Sequence, residues 1–405
     1  MIRSYKIRLL PNQEQEQLLW KHVNTARFVW NFGLSHQMEL YKNEKKHLSG
    51  YDLKKVFVQL KQQDEYVWLK EISAHTISNV CLDLDSAYKR FFKKQKSGDK
   101  YTKNKIKQLQ SKNKKLTPYD LNGHPKFKKK NKCKDKFPVR KDSFYLNNNC
   151  AVIEKIGKVK YQTNYNFPQG RNFRGEFTNP RIKYINNKWI LSFGMECNNQ
   201  TQKLTDNVAG IDLGISKLAY VSCDDEFKTF NNINKTKKIK KLKKQLKRAQ
   251  RKVSKKYHTN GNYKKSNNII KAEKRVKQLH NKLSNIRNNY IHQITRKIVN
   301  MFPRMVVMED LNVSGMMKNR YLSKAIQEQC FYEFIRQMRY KCKNYGIEFV
   351  QVDRFYPSSK LCSDCGFIKK DLKLSDRIYN CVNCGLGIDR DENASRNLMN
   401  YGLFS

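Results

Sequence analysis

Two Cys-x-x-Cys pairs, Cys362/Cys365 and Cys381/Cys384, stand fifteen residues apart near the end of the chain. That spacing lets four thiolates converge tetrahedrally on one structural Zn²⁺. Each pair runs straight into a glycine, Gly366 or Gly385, whose freedom lets the backbone turn beneath the metal. Two disulfides would also use the four cysteines, but nothing in the sequence suggests the secretion they require, and the seven remaining cysteines are scattered as in a reducing compartment. Directly after the last cysteine pair, Asp389-Arg390-Asp391-Glu392 opens a short helical segment. A carboxylate at a helix start, beside a rigid zinc module, is well placed to hold a second, catalytic metal.

Two further acids lie on apolar segments that should form buried strands. Asp212 sits in VAGIDLGISKLAYVS between Gly210 and Gly214, and Glu309 closes PRMVVMEDL. An unpaired carboxylate in a hydrophobic strand is costly unless it meets a cation or a partner. The strand-Asp-x-Gly pattern alone fits sugar kinases and RNase H-like nucleases equally. Acids gathered from three distant elements (Asp212, Glu309 and the Asp389/Asp391 pair) are what two-metal phosphodiester hydrolysis needs. There, two Mg²⁺ ions about 3.5–4 Å apart activate the water and stabilise the leaving oxygen. Any one of these acids could be structural; all three together are hard to explain that way.

The elements that must position these groups can be read in order. Residues 2–10 alternate, with Tyr5, Ile7 and Leu9 on one face of a strand that Pro11 ends. Asn12 and Gln15 form a capping-box pattern before a helix carrying Leu18, Leu19, Val23 and Ala26. Helical stripes follow around 52–62 and 73–92. Aromatics interleave with basic residues here (Trp20, Phe28, Trp30, Phe32, Phe91, Phe92), a mixture that can stack bases or simply form a helical core. The Lys/Asn/Gln-rich stretch 93–136, with Gly98, Pro118, Gly123 and Pro125, reads as a connection that either orders on RNA or stays solvated. Residues 137–203 read as short strands. The clearest hairpin has Ile182 and Tyr184 before Asn186-Asn187, and Trp189, Leu191 and Phe193 after it. With the first strand these could close one small barrel. Residues 234–299 predict an antiparallel helical hairpin: Leu242, Leu246, Ala249 and Val253, a turn at Gly261, then Ala272, Val276, Leu279, Leu283, Ile286 and Tyr290. A dimerising coiled coil is the competing reading. A single helix over 320–345 and a strand at 347–353 complete the chain before the zinc module.

The charge points to a polyanion. Lys and Arg number 83 against 35 acids, a net +48 in 405 residues, and the usual partner for such a chain is nucleic acid. An AT-rich genome would explain Lys over Arg but not the shortage of acids. The opening MIRSYKIRLLPNQEQEQ has charges where a secretion signal needs an apolar core, and no run reaches the roughly 18 apolar residues of a membrane span. The expectation is a cytoplasmic protein without membrane contact.

ARFVWN (26–31), HPKFKKK (124–130), GIDLG, EDL, YPSSKLCSDCG and CGLGIDRDENASRN together make the chain resemble the TnpB (OrfB) family. These are transposon-encoded RNA-guided DNA endonucleases related to type V CRISPR effectors. The resemblance covers almost the whole chain. It implies a multidomain α+β architecture. A wedge-like β-barrel (1–10 and 118–205) is interrupted by a helical recognition domain with a basic linker (11–117). An RNase H-like RuvC nuclease (206–360) follows, then an inserted zinc ribbon (361–388) and a RuvC C-terminal segment (389–405). Carried across, the catalytic Mg²⁺ ligands are Asp212, Glu309 and Asp391, with Asp389 a supporting acid; Cys362, Cys365, Cys381 and Cys384 hold the zinc. Ser395 stands where the family usually has Ala. The resemblance further implies a guide RNA from the transposon end, double-stranded target DNA with an adjacent motif, and a monomeric protein on one guide RNA.

Four alternatives compete: a compact CRISPR effector with a separate array, a guided DNA-binding regulator without cleavage, a strand-joining transposase, and a zinc-ribbon DNA-binding protein without RNA. The three intact acids weigh against the second and leave the fourth with residues that have no role. The eight scattered histidines supply no His-x-His site for the third.

Overall fold

A computed structural model describes residues 2–96, 123–130, 133–198, 202–259, 266–373 and 375–404. Much of the basic connection, including Gly98, Pro118 and the 117/118 boundary, lies outside the described residues, as does the turn glycine Gly261. The chain forms two compact units, Met1–Cys197 and Asn198–Ser405.

In the first unit the opening alternation forms β1 (Ile2–Leu10), burying Ile7 and Leu9. The expected capping box starts α1 (Gln13–Glu44): Gln15 N donates to Asn12 Oδ1 at 2.8 Å, and Asn12 N donates to Gln15 Oε1 at 3.1 Å. Helices α2 (Gly50–Leu60) and α3 (Ala74–Lys96) follow. The strands are β2 (Lys136–Pro138), β3 (Tyr145–Asn147), β4 (Cys150–Ile153), β5 (Gly157–Gln162), β6 (Phe177–Ile185) and β7 (Lys188–Glu196). They make an antiparallel sheet in the order β2-β6-β7-β1-β5-β4-β3, with the first strand of the chain at its centre. The hairpin β6–β7 turns on Asn186 and Asn187, both at positive φ, as a two-residue primed turn requires. Helices and sheet share one core: Leu19, Phe57 and Leu84 lie in the same apolar cluster as Phe137, Leu191 and Phe193.

The motif segments ARFVWN and HPKFKKK meet in this unit. Trp30 Nε1 donates to Lys126 O at 3.0 Å, Asn31 exchanges bonds with the backbone of Lys128, and the Lys128 ammonium lies 3.4 Å from the centre of the Trp30 ring.

The second unit contains β8 (Val208–Leu213), β9 (Lys217–Cys223), β10 (Glu226–Asn231), α4 (Lys237–Thr259), α5 (Asn267–Val299) and β11 (Met305–Glu309). Then come α6 (Ser323–Gln329), α7 (Phe331–Tyr345), β12 (Glu348–Val352), the small ribbon β13 (Ile378–Asn380) and β14 (Gly387–Asp389), and α8 (Arg390–Phe404). Five strands form one sheet, β10-β9-β8-β11-β12, antiparallel through β8 and parallel from β8 to β12. Helices α4 and α5 pack on each other through Ile239, Leu242, Leu279 and Leu283, so the heptad-like stripe closes within the chain. The single helix expected over 320–345 is instead broken at Cys330, which takes a left-handed φ of 57° between α6 and α7.

Strand alternation decides which residues face which helix layer. Ala209, Ile211, Val306 and Met308 point to the core shared with α5 and α7. Val208, Met305 and Val307 point the other way, onto Leu398 of α8. Gly210, Asp212 and Glu309 therefore belong to the α8 side.

Candidate active site and metal centre

The ladder between β8 and β11 ends at Met308–Ile211. One residue further along these parallel strands stand Glu309 and Asp212, level with each other on the face that α8 covers. Two glycines let that helix come down. A Cβ on Gly210 would lie 2.1 Å from Ser395 O and 2.3 Å from Met399 N, and one on Gly402 would lie 2.7 Å from Val307 Cγ2. Contact at this depth brings the helix start, and Asp391 with it, to the ends of the two strands.

Asp212 is half-buried as a residue, and its carboxyl is surrounded by protein. Burial, then the neighbouring charges of Glu309 and Asp391, push its carboxyl up to about 8, against a smaller opposing pull from Arg390. Three mutually repelling carboxylates are arranged to welcome a cation. Their oxygens do not all come within 4.8 Å of one another; among the described residues only the four cysteines form such a group. Each acid outside the strand centre is held by a neighbour. Tyr220, paired with Asp212 across β8 and β9, has its hydroxyl pKa raised by burial and then by nearby Asp391, and Arg390 Nη2 lies 3.4 Å from Asp391 Oδ1. Ser358 Oγ donates to Glu309 Oε1. Gly214 begins the turn from β8 into β9, and a Cβ there would meet the Tyr220 ring at 3.1 Å.

The two aspartates at the helix start do different work. Asp389 Oδ1 accepts the N–H groups of Asp391 at 2.9 Å and Glu392 at 3.2 Å, and so caps α8. Asp391, freed of that duty, is the acid whose charge reaches Asp212.

The four thiols converge. Cys362 Sγ lies 3.6 Å from Cys384 Sγ, and Cys365 Sγ lies 3.6 Å from Cys381 Sγ. Four sulfurs tetrahedrally placed about 2.3 Å from a zinc ion stand about 3.8 Å apart, whereas a disulfide needs about 2.05 Å. The donor set therefore fits zinc and excludes the disulfide reading. Gly366 and Gly385 both take positive φ, and their N–H groups donate to Cys362 O and Cys381 O, each at 3.1 Å, in two equivalent knuckles. Bonds from the Asn383 amide and the Phe367 N–H lower the pKa of the Cys365 thiol and so favour its thiolate form, the form that ligates zinc.

Sequence reasoning did not single out Tyr220, Ser358 or the asparagines of α8. Asn393, Asn397 and Asn400 repeat at four and three residues, the spacing of one helix face, and that signal was available.

Comparison with known proteins gives three family-model matches. One described as "Cas12f1-like, TNB domain" covers residues 331–398, one described as "Probable transposase" covers 192–320, and one described as "Helix-turn-helix domain" covers 1–46. The last span is here one strand and one long helix. A protein of Streptomyces pristinaespiralis named "Putative RNA-guided DNA endonuclease" is 27% identical over 403 residues, covering 99% of this chain and 89% of its own length. "Putative RNA-guided DNA endonuclease InsQ" of Escherichia coli (strain K12) is 27% identical over 418 residues, covering 99% and 92%. "CRISPR-associated endodeoxyribonuclease Cas12f1" of Sulfoacidibacillus thermotolerans is 27% identical over 217 residues, covering 52% of this chain and 50% of its own.

Proposed function

The chain belongs to the TnpB (OrfB) family, related to the type V CRISPR effectors, and we propose that it is an RNA-guided DNA endonuclease that cuts through Asp212, Glu309 and Asp391. The observation that carries the reading is the meeting of these three acids. Two come from level positions on adjacent parallel strands, and the third from a helix pressed onto the same face.

In this reading the five-stranded sheet with its helices is the RNase H-like RuvC nuclease. The sheet of the first unit is the wedge-like barrel, and its three helices are the recognition domain. Asp212, Glu309 and Asp391 are the groups that would hold Mg²⁺, which when bound supplies an activated water and charge stabilisation at the leaving oxygen. Asp212 would hold the cation in its ionised form, Arg390 orients Asp391, and Asp389 fixes the helix that carries it. The zinc ribbon is structural.

Partners follow from charge and kinship. A net +48 suits a guide RNA and its paired target strand, and the Lys-rich exterior of α4 suits a phosphate backbone. We assign the guide to the transposon end and one protein to one guide. Among the described residues no helix is long and apolar enough to cross a membrane.

The test is to express the chain with its native flanking DNA, sequence the RNA that co-purifies, and offer the complex a plasmid library with randomised flanks and Mg²⁺. A discrete RNA, cleavage beside one short motif, and loss of cleavage but not of target binding in Asp212→Ala are expected. A specific RNA with binding but no cutting would make the chain a guided regulator. No specific RNA would leave a zinc-ribbon DNA-binding protein.

A further inference from the structure

Ser358 lies between the last sheet strand and the first thiol ligand and is only 3% exposed. Its hydroxyl donates to Glu309 Oε1, the carboxylate whose charge acts on Asp212. The serine is itself held. Its N–H donates to Tyr356 O at 2.8 Å, and its carbonyl accepts Asn397 Nδ2 at 2.7 Å. The same Asn397 amide reaches Leu361 O at 2.7 Å, next to the ligand Cys362, and Asn393 Nδ2 reaches that carbonyl at 2.6 Å. Asn393 Oδ1 accepts Ser363 N at 3.0 Å, and Asn400 Nδ2 donates to Ser363 O at 2.9 Å. Asn393 and Asn397 are almost completely buried. One face of α8, the helix whose first turn carries Asp391, thus grips the first zinc knuckle and the serine behind Glu309.

We propose that Ser358 is a positioning residue for Glu309, and that the asparagine face of α8 makes the first zinc knuckle the scaffold on which Glu309 and Asp391 are set together. The proposal rests on the reading of Asp212, Glu309 and Asp391 as the cation-binding acids. A carboxylate that must present one oxygen to a cation needs its other oxygen fixed, and a buried neutral hydroxyl supplies that donor without adding a positive charge that would compete with the cation. Outer partners of this kind typically change metal affinity 10- to 100-fold. The arrangement also explains the burial of the asparagines. Their amides satisfy carbonyls of an irregular loop that has no ladder to join.

The experiment measures Mn²⁺ binding to the nucleic-acid-free, zinc-loaded full chain at high salt, by loss of the free-ion electron paramagnetic resonance signal. The proteins are wild type, Ser358→Ala, Glu309→Ala, the double variant and Asp212→Ala. Ser358→Ala is expected to weaken binding by roughly 10-fold or more, and to add nothing in the Glu309→Ala background, because the serine acts through that carboxylate. Unchanged binding in Ser358→Ala overturns the proposal. So does a loss that persists without Glu309, which would mark general disruption of the ribbon. If either result appears while Asp212→Ala abolishes binding, the cation site stands and only the positioning role falls. If Asp212→Ala binds as wild type, the reading of the acids fails first.

Discussion

Gly210 of β8 and Ser395 of α8 approach so closely that a Cβ on the glycine would stand 2.1 Å from the serine's carbonyl oxygen. Both atoms are tied to backbone, so no rotamer change relieves the clash. The strand that carries Asp212 and the helix that carries Asp391 are in register only because that position has no side chain.

Gly210→Ala should therefore damage the site without touching an acid. Overpacking costs typically 1–3 kcal/mol, and an unyielding backbone contact belongs at the upper end. For a unit of this size that lowers Tm by roughly 6–12 °C. Cleavage should fall further than folding does, because the helix must lift Asp391 away from Asp212. Calorimetry beside a cleavage assay would check this, and a variant with normal Tm and normal rate would refute the packing argument.

The raised carboxyl of Asp212 makes a signed prediction about pH. Its folded pKa, about 8, lies above the unfolded value near 3.8. The stability linked to its proton is therefore full at acid pH and is lost progressively as pH rises through that window. An amide in place of the carboxyl would not titrate. Without divalent ions, Asp212→Asn should match wild type near pH 4 and be the more stable of the two near pH 8, by on the order of 1 kcal/mol or more. Adding Mn²⁺ should shrink or reverse the difference, since the cation rewards the charge that the empty site penalises. Denaturation of both proteins at several pH values, with and without Mn²⁺, gives the comparison.

Much of this site could be read before the fold was known, for identifiable reasons. Alternation in VAGIDL and MVVME already puts Asp212 and Glu309 on opposite faces from Ile211 and Met308, and fixed knuckle spacing reports the thiol cluster. The hairpin at Asn186-Asn187 was legible because only a few residues tolerate two successive positive φ values. What stayed hidden depends on tertiary contact. The break at Cys330 has no glycine or proline to mark it; Gln329 instead anchors the preceding turn to the backbone of Gly214, Ile215 and Lys217. That the Tyr220 ring packs over Gly214 shows only in the folded chain. Asp389 and Asp391 are told apart in sequence only by the family's motif; the physical difference between them appears when Asp389 caps a helix.

Ser395 departs from the family's usual alanine, and the structure gives it a partner: Ser222 Oγ and Ser395 Oγ lie 2.7 Å apart in the core. Ser395 Oγ also donates to Glu392 O at 2.8 Å, so Ser222 is the donor within the pair. The two truncations should then be unequal. Ser395→Ala strands the Ser222 hydroxyl and should cost about 1–3 kcal/mol, whereas Ser222→Ala leaves Ser395 still bonded and should cost less than about 1 kcal/mol. The double variant should be no worse than Ser395→Ala, because it leaves no hydroxyl stranded. A urea-denaturation cycle over the four proteins measures this coupling, and additive losses would contradict it.

Zinc removal should reach from the ribbon into the nuclease site and stop at the other unit. Binding at a structural tetrathiolate is folding free energy for the residues around it, and here those residues include the loop that α8 grips through three asparagines. Cys362→Ser, or a strong chelator, should lower the Tm of the second unit by on the order of 10 °C. Hydrogen exchange should quicken first at 358–385 and then at the start of α8, as the amide bonds to Leu361 and Ser363 are lost. The antiparallel sheet of the first unit, with its own core around Phe137, Leu191 and Phe193, should keep its protection. If protection at α8 survives zinc loss, the ribbon is an independent module and the asparagine contacts do not transmit its order. If protection falls there while β8 and β11 hold, the loss of cleavage that follows is a failure to place Asp391 and Glu309, and not a failure of the sheet.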